Sequence, residues 1–208
     1  MNGIESMRPA VRPGLPPALE PWARPVAVAF VSLLWWDAYH RQLAAGMPAG
    51  APRGAVALGT GMATVGHLAG NALEAAFYRL WWRSRGARFG YGSFFVWLVA
   101  LSLFDIGAIA LRDVAREHAP AAAGWLAALA GPGAARDSFP GISPGLRAAL
   151  GSIGLLALAR VAATAWLQAR AVGRGLAGPL GLTLSTWGLA RLVVWWGTDL
   201  LRGRSPLP

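Results

Sequence analysis

The sequence predicts an all-α protein, a polytopic transmembrane helical bundle with four or five spans, and three observations support this class. Of its 208 residues, 55% are hydrophobic and only 13% are charged, whereas soluble domains carry about 25% charged residues. The mean hydropathy is positive, at +0.44. Long apolar runs alternate with short segments rich in Gly, Pro and Arg, and a bilayer accepts such runs as helices.

The first apolar run is short. Residues 1–24 are polar and rich in Pro, so we expect an irregular arm there. The run from Pro25 to Trp36 has 12 residues, whereas a helix that rises ~1.5 Å per residue must cross a hydrocarbon core ~30 Å thick. This run has the length of a signal-peptide core, and it could also lie in the interface. We favour a short first span over 25–44, with its charged ends extending to water.

Four longer apolar runs predict the remaining spans. They complete one transmembrane domain over 25–204, which is followed by a tail at 205–208. The long connection between the third and fourth spans contains an apolar stretch, 119–130, which is too short to span and which we expect to lie as an interfacial helix. The four runs cover 54–82, 91–111, 146–167 and 179–201.

The basic residues indicate lipid as a partner. All 19 are arginine, the net charge is +10, and most lie in loops or at span ends. The Trp pairs at 35/36, 81/82 and 195/196 accompany them, as in an aromatic belt. We therefore expect contact with anionic lipid headgroups. Nucleic acid is not expected as a partner, because no basic face lies free of apolar spans.

Four charged residues fall inside the predicted spans: Glu74, Asp105, Arg160 and Arg191. A charge in hydrocarbon costs at least ~2.5–3.5 kcal/mol, so such residues usually pair. Counted from the membrane face that bears Arg83, Glu74 and Arg160 lie at roughly 13–15 Å, and Asp105 and Arg191 at roughly 20–24 Å. These depths predict two interhelical ion pairs, Glu74–Arg160 and Asp105–Arg191, that fix helix assembly. A proton or ion relay along the same groups is the alternative.

The second span combines small and polar residues. Gly66 and Gly70 form a GxxxG step, which lets another helix approach closely. His67, Asn71 and Glu74 follow one another at i, i+4 and i+7, so they share one helix face. We expect that face to look into the bundle.

His67 also belongs to a pattern that resembles a pigment site. The segment Ala63-x-x-x-His67 is similar to the Ala-x-x-x-His arrangement of bacterial light-harvesting polypeptides, in which the imidazole ligates bacteriochlorophyll. The resemblance implies a bacteriochlorophyll or haem contact at His67, with Ala63 and Gly66 packing beside the macrocycle. Chemically, a neutral imidazole is a good metal ligand. The alternative is a histidine that is hydrogen-bonded within a polar core.

Catalytic equipment is not recognisable. The phosphate-binding, nucleophile-elbow, zinc-protease and dinucleotide patterns do not occur. The chain has no cysteine, and its three histidines lack metal-site spacing. We therefore expect neither an enzyme nor a metal site.

From Gly54 onward, the pattern resembles that of the bacterial Yip1-like membrane proteins. The resemblance rests on the glycine/aromatic segment RFGYGSF at 88–94 and on a paired final hairpin over 147–201, and it covers about 150 residues. It implies a multi-pass protein of a bacterial inner or intracytoplasmic membrane.

Two functions follow as expectations. The first is a non-catalytic accessory subunit that packs against other subunits of a larger membrane complex, as the 11 Trp residues and the small-residue helix face suggest. A photosynthetic or respiratory assembly is the natural host if His67 meets a pigment or haem. The alternative is a stand-alone Yip1-like or small-solute transport protein.

Overall fold

The computed structural model describes residues 20–48, 52–88, 90–118, 129, 143, 146, 150 and 153–201. Within these residues the chain is helical and contains no strand, which confirms the predicted all-α class. The long helices are α1 (Glu20–Gly46), α2 (Arg53–Arg83), α3 (Tyr91–His118), α4 (Leu155–Val172) and α5 (Ala177–Leu201).

The helices pack as a group of three and a pair. Helix α1 packs against α2 and α3, and α2 also packs against α3. Helices α4 and α5 pack against each other, and α3 joins the two groups through its contact with α4. Side chains also connect α2 to α5: the Tyr78 hydroxyl lies 2.7 Å from Thr186 Oγ1.

The main apolar core lies where α2 and α4 end and where α3 and α5 begin. In this core Tyr78 meets Phe94 edge to face, with ring centroids 5.8 Å apart and an interplanar angle of 89°. Such an arrangement places the positive edge of one ring on the negative face of the other. The buried members are Ala75, Tyr78, Trp82, Phe94, Leu98 and Leu182.

Two glycines end helices at this same side of the bundle. Gly86, in the turn after α2, has a φ of 77°, and Gly173, directly after α4, has a φ of 65°. Both conformations are left-handed, which glycine adopts without the steric penalty of a Cβ atom. At Gly173 the chain forms a helix C-cap: the Arg174 amide donates to the Ala169 carbonyl over 3.2 Å.

Several helix boundaries differ from the expected spans. Helix α1 begins at Glu20, within the expected arm, and α3 continues through the charged residues to His118. Helix α4 begins nine residues after the expected start at 146, because Ile153 and Gly154 are not helical. Gly154 is extended, with φ −129° and ψ 174°. Residues 1–19, the tail, and the expected interfacial helix apart from Leu129 lie outside the described residues.

Two helical segments among the described residues are long and apolar enough to cross a membrane. They are Tyr91–Val114 of α3 and the whole of α4, with mean hydropathies of 2.3 and 1.2. Only 33% and 22% of these segments are buried inside the protein, whereas the core helix of a soluble protein is mostly buried. The two segments indicate membrane association.

The two members of a Trp pair do not both lie at the outer surface of the bundle. Trp36, Trp81 and Trp196 are exposed, by 37%, 36% and 47%, but Trp82 is buried in the core. Trp35 turns inward and stacks on the ring of His67. Successive residues on a helix point about 100° apart, so one member of such a pair faces outward while the other packs inside.

Candidate functional site

Arg160, on α4, is the centre of a polar network between the helices. Its Nη1 atom donates to Asp105 Oδ2 on α3, and its Nη2 atom donates to Asn71 Oδ1 on α2 over 3.0 Å. Nη2 also lies 3.8 Å from Glu74 Oε2. A planar guanidinium has donors in a fixed fork, so this one side chain connects three helices.

The two acids predicted to take separate arginines therefore share Arg160. The predicted Glu74–Arg160 contact is present, whereas the direct contact of Asp105 is with Arg160 as well. Arg191 lies over the ring of Trp187, 5.3 Å from its centroid, and the charges of Asp105 and Arg160 act on it. The pair Asp105–Arg191 stays a prediction.

Side-chain direction explains why the two predicted layers merge. The Cα–Cβ bond of a helical residue tilts toward the N-terminus of its helix. Helices α2 and α4 end at the Arg83 side of the bundle, so Glu74 and Arg160 extend away from that side. Helix α3 begins there, so Asp105 extends toward it. The predicted depths were those of the Cα atoms. Because the side chains of Glu74 and Arg160 extend toward that of Asp105, the charged groups meet at one level.

Asn71 lies between Arg160 and His67 and contacts both side chains. A guanidinium is only a donor, so the Asn71 oxygen must face Arg160 and its amide nitrogen must face the other way. That nitrogen lies 3.0 Å from His67 Nε2. The same amide nitrogen donates to Ser102 Oγ over 3.4 Å. Ser102 Oγ, on α3, lies 2.7 Å from the same Nε2 atom.

This geometry does not fit His67 as an axial ligand through Nε2. Asn71 Nδ2 and Ser102 Oγ lie 3.0 Å and 2.7 Å from this atom and occupy the positions around it that a metal ion would need. The imidazole ring is also stacked on Trp35, with centroids 3.8 Å apart and an interplanar angle of 10°. The residue therefore matches the alternative interpretation, a histidine that is hydrogen-bonded within a polar core.

Tyr78 extends the network to α5. Its hydroxyl donates to Glu74 Oε1 over 3.0 Å and lies 2.7 Å from Thr186 Oγ1. With Trp35 stacked on His67 at the other end, the connected side chains come from all five long helices.

A cavity of about 650 Å³ opens beside this network, between α2, α4 and α5. Such a volume lies within the range of about 300–1,000 Å³ that is usual for ligand pockets. Its wall mixes charged, hydroxyl and apolar side chains, so it offers both polar anchors and apolar surface. Its polar and charged members are His67, Asn71, Glu74, Arg160, Thr164, Thr183, Thr186, Trp187 and Arg191.

Nearer the Arg83 side, the same helices meet in a closed layer around Gln168. Trp82 Nε1 donates to Gln168 Oε1 over 2.8 Å, and Gln168 Nε2 donates to Thr183 Oγ1 over 2.8 Å. Thr183 in turn donates to the carbonyl of Pro179 over 2.8 Å. Each donor in this chain has its own acceptor, and Gln168 is fully buried.

Sequence reasoning placed four charged residues, Asn71 and His67 correctly within the helices, but it missed several polar members of the two layers, among them Tyr78, Ser102, Gln168 and Thr186. Tyr78 could have been found, since it continues the face of Asn71 and Glu74 at the next i+4 position. Ser102, Gln168 and Thr186 carry no signal of their own, because isolated polar residues on apolar helices form no pattern.

No family model, curated protein or solved structure matches the chain. The similarities to Yip1-like proteins and to light-harvesting polypeptides therefore stay predictions. Among the residues that the structure describes, no group of three or more His, Asp and Glu side chains could hold a metal ion.

Proposed function

We propose that this chain is a polytopic membrane protein that binds a small polar solute in the cavity beside Arg160, in the manner of a small-solute transport protein. The observation that carries the proposal is the convergence of Glu74, Asn71 and Arg160 on a ligand-sized space within the bundle. Charged side chains inside membrane helices usually line substrate or ion pathways.

The outer surface supports the membrane setting. Large apolar side chains point away from the bundle along α2, at spacings of three, four, seven or eight residues, which keep them on one helix face. Soluble monomers rarely expose contiguous apolar surface of this kind. The exposed members on α2 include Leu58, Met62, Val65, Leu73 and Leu80, each with more than 60% of its surface accessible.

The side chains of the cavity favour binding of a solute without a chemical reaction. Glu74 is held by Arg160 and Tyr78, and His67 Nε2 is engaged with Asn71 and Ser102. A general base needs a free lone pair within reach of its substrate. We therefore assign no reaction to these groups.

Thiol accessibility tests whether the cavity is open to water. The chain has no cysteine, so single-cysteine variants need no background removal. Ala190, on α5, lines the cavity, whereas Val193 is exposed on the same helix outside it. The thiolate is the nucleophile that attacks the methanethiosulfonate, and a cysteine thiol ionises readily only where water reaches it. In proteoliposomes, a water-soluble methanethiosulfonate should modify the Ala190→Cys variant at least about tenfold faster than the Val193→Cys variant.

Equal rates at the two positions would show that the cavity is not a hydrated site and would end the proposal. When the rates differ, the side from which the reagent enters follows from adding it outside or inside the vesicles. Reaction from both sides is expected of a transport protein, and reaction from one side only would indicate a binding protein without transport.

A second candidate function, the accessory subunit, is favoured by the open small-residue face of α2. A Cβ atom added at Gly66 or Gly70 would meet nothing within 4 Å, so none of the described helices packs closely on this GxxxG step. Such steps let a second helix approach closely. Native electrophoresis after mild solubilisation tests this candidate: Gly66→Leu should release the chain from a larger complex, and Gly188→Leu, also in open space, should not.

A further inference from the structure

An apolar groove runs between α2 and α5 at the Arg83 side of the bundle. It has a volume of about 450 Å³ and follows α5 from Ala177 to Leu189, a distance of roughly 18 Å. One leaflet of a bilayer, half of a hydrocarbon core ~30 Å thick, has a similar depth. The groove therefore matches the length of an acyl chain that descends from one surface of the membrane.

The lining of the groove suits a hydrocarbon chain. Phe77 and Trp81 of α2 form one wall, and the glycines at 178 and 181 leave space along α5. A Cβ atom added at Gly181 would meet nothing within 4 Å. The Ser185 hydroxyl, which also lines the groove, donates to the Gly181 carbonyl over 2.8 Å, so its own helix already supplies its acceptor.

Two exposed arginines lie at the Arg83 end of the groove. The Arg85 guanidinium lies over the ring of Trp81, 3.6 Å from its centroid. Arg174, which follows α4, donates through Nη2 to the Arg85 carbonyl over 3.2 Å, so the two residues are neighbours. Arg85 donates through Nη1 to the Trp81 carbonyl over 3.2 Å. Each guanidinium has five N–H donors, so both side chains keep donors for a ligand.

The charge at this side of the bundle is strongly positive. The segments 75–104 and 138–198, which contain the ends of α2 and α4 and the starts of α3 and α5, contain no acidic residue. Helix α1 also begins at this side, where the charge of Glu20 is balanced by Arg24 four residues later. Such a surface attracts anionic lipid headgroups. Its exposed arginines on the ends of α2 and α4 are Arg83, Arg85, Arg88, Arg170 and Arg174.

We infer that the groove is a binding site for an anionic phospholipid, whose phosphate binds Arg85 and Arg174 and whose acyl chain lies against Gly181. Guanidiniums bind phosphate through paired hydrogen bonds. Trp81 connects the two parts of the site, because its ring lies under the Arg85 guanidinium and also lines the groove. The inference goes beyond solute binding and does not depend on it, because these two arginines and Gly181 lie outside the lining of the Arg160 cavity.

Native mass spectrometry of the full chain in mild detergent counts bound lipids and tests the inference. Dioleoylphosphatidylglycerol should bind at least about tenfold more tightly than dioleoylphosphatidylcholine, which has the same acyl chains and no net charge. The double variant Arg85→Gln/Arg174→Gln should reduce the affinity for phosphatidylglycerol to that for phosphatidylcholine. Equal affinities of the original chain for the two lipids would overturn the inference.

The double variant Arg88→Gln/Arg170→Gln is the matched control, because it removes the same charge from the same side of the bundle. Arg170 lies over Trp166, 5.1 Å from its centroid, and Trp166 does not line the groove. This variant should keep the affinity for phosphatidylglycerol within about threefold. Equal losses in the two double variants would show attraction to the overall charge without a specific site, which contradicts the inference.

A pair of glycine substitutions tests the acyl chain. Gly181→Leu places a side chain in the groove and should weaken binding of phosphatidylglycerol by at least about fivefold. Gly188→Leu makes the same change on the same helix, in open space outside the groove, and should leave the affinity within about twofold. This comparison decides even if an arginine variant fails to fold. Equal effects of the two substitutions, or a dimer of the chain that excludes lipid, would show that no acyl chain occupies the groove.

Discussion

The layer around Gln168 and the layer around Arg160 lie roughly 12 Å apart along α4, and helices α2, α4 and α5 contribute to both. In the first layer three neutral side chains, of Trp82, Gln168 and Thr183, form a linear chain of hydrogen bonds beside the apolar core. In the second, a guanidinium takes two carboxylates and an amide beside a cavity of about 650 Å³.

The difference shows how one bundle can be closed at one level and open at another. Neutral donors and acceptors that match one to one can be buried without water. Burial of several charges at one level costs more free energy, because each charge loses its hydration. Space for water or a ligand beside the charges reduces that cost. Both layers connect the helices, and the open layer, around Arg160, is the one in which we propose that a solute binds.

The largest expected effect is at Arg160. Arg160→Met leaves Glu74 and Asp105 without their shared cation, so we expect a loss of about 3–5 kcal/mol in the free energy of unfolding. Titration with SDS from mild-detergent micelles measures it. Arg170→Met is the control, because that guanidinium is exposed and lies over Trp166, 5.1 Å from its centroid; it should cost less than about 1 kcal/mol. Equal losses would contradict a central role for Arg160.

The two acids should differ in their contribution. Asp105 makes a direct hydrogen bond to Arg160, whereas Glu74 lies 3.8 Å away and is also held by Tyr78. Asp105→Asn should therefore cost about 2 kcal/mol and Glu74→Gln about 1 kcal/mol, measured by the same titration. The reverse order would show that Arg160 pairs mainly with Glu74, as the depth count predicted.

The closed layer should lose less than the charged one. Gln168→Leu keeps the volume but leaves the buried Trp82 Nε1 without its acceptor, for a loss of about 1–2 kcal/mol. Removing both partners, by adding Trp82→Phe, should recover about 1 kcal/mol of the summed single losses in a double-mutant cycle. Strict additivity of the two substitutions would mean that the hydrogen bond contributes nothing to stability.

The smallest effects are expected at two glycines of α2. A Cβ atom at Gly59 would lie 2.9 Å from Leu43 Cδ2, whereas one at Gly66 would meet nothing within 4 Å. Gly66→Ala should stabilise the helix by about 0.5 kcal/mol through lower backbone entropy of the unfolded chain. Gly59→Ala should lose that gain, because Leu43 must move. Comparison of the thermal unfolding midpoints shows whether each substitution stabilises the protein. A stabilised Gly59→Ala variant would show that Leu43 of α1 moves aside without a loss of packing energy.

The sequence by itself determined the helical class, the approximate helix positions, and the presence of His67, Asn71, Glu74, Asp105, Arg160 and Arg191 inside the helices. Apolar run length and helical periodicity are local properties, so the amino-acid order specifies them directly. Glycine also acted locally, at Gly173 and Gly86, where a left-handed residue ends a helix.

Only the tertiary structure decided which groups meet. The Asp105–Arg160 contact depends on the opposite directions of α3 and α4, which tilt two side chains toward one level. The contact of His67 with Asn71 depends on an amide whose orientation is set by Arg160, a residue of another helix. The cavity depends on the separation of α2 and α5, which no residue spacing along the chain encodes.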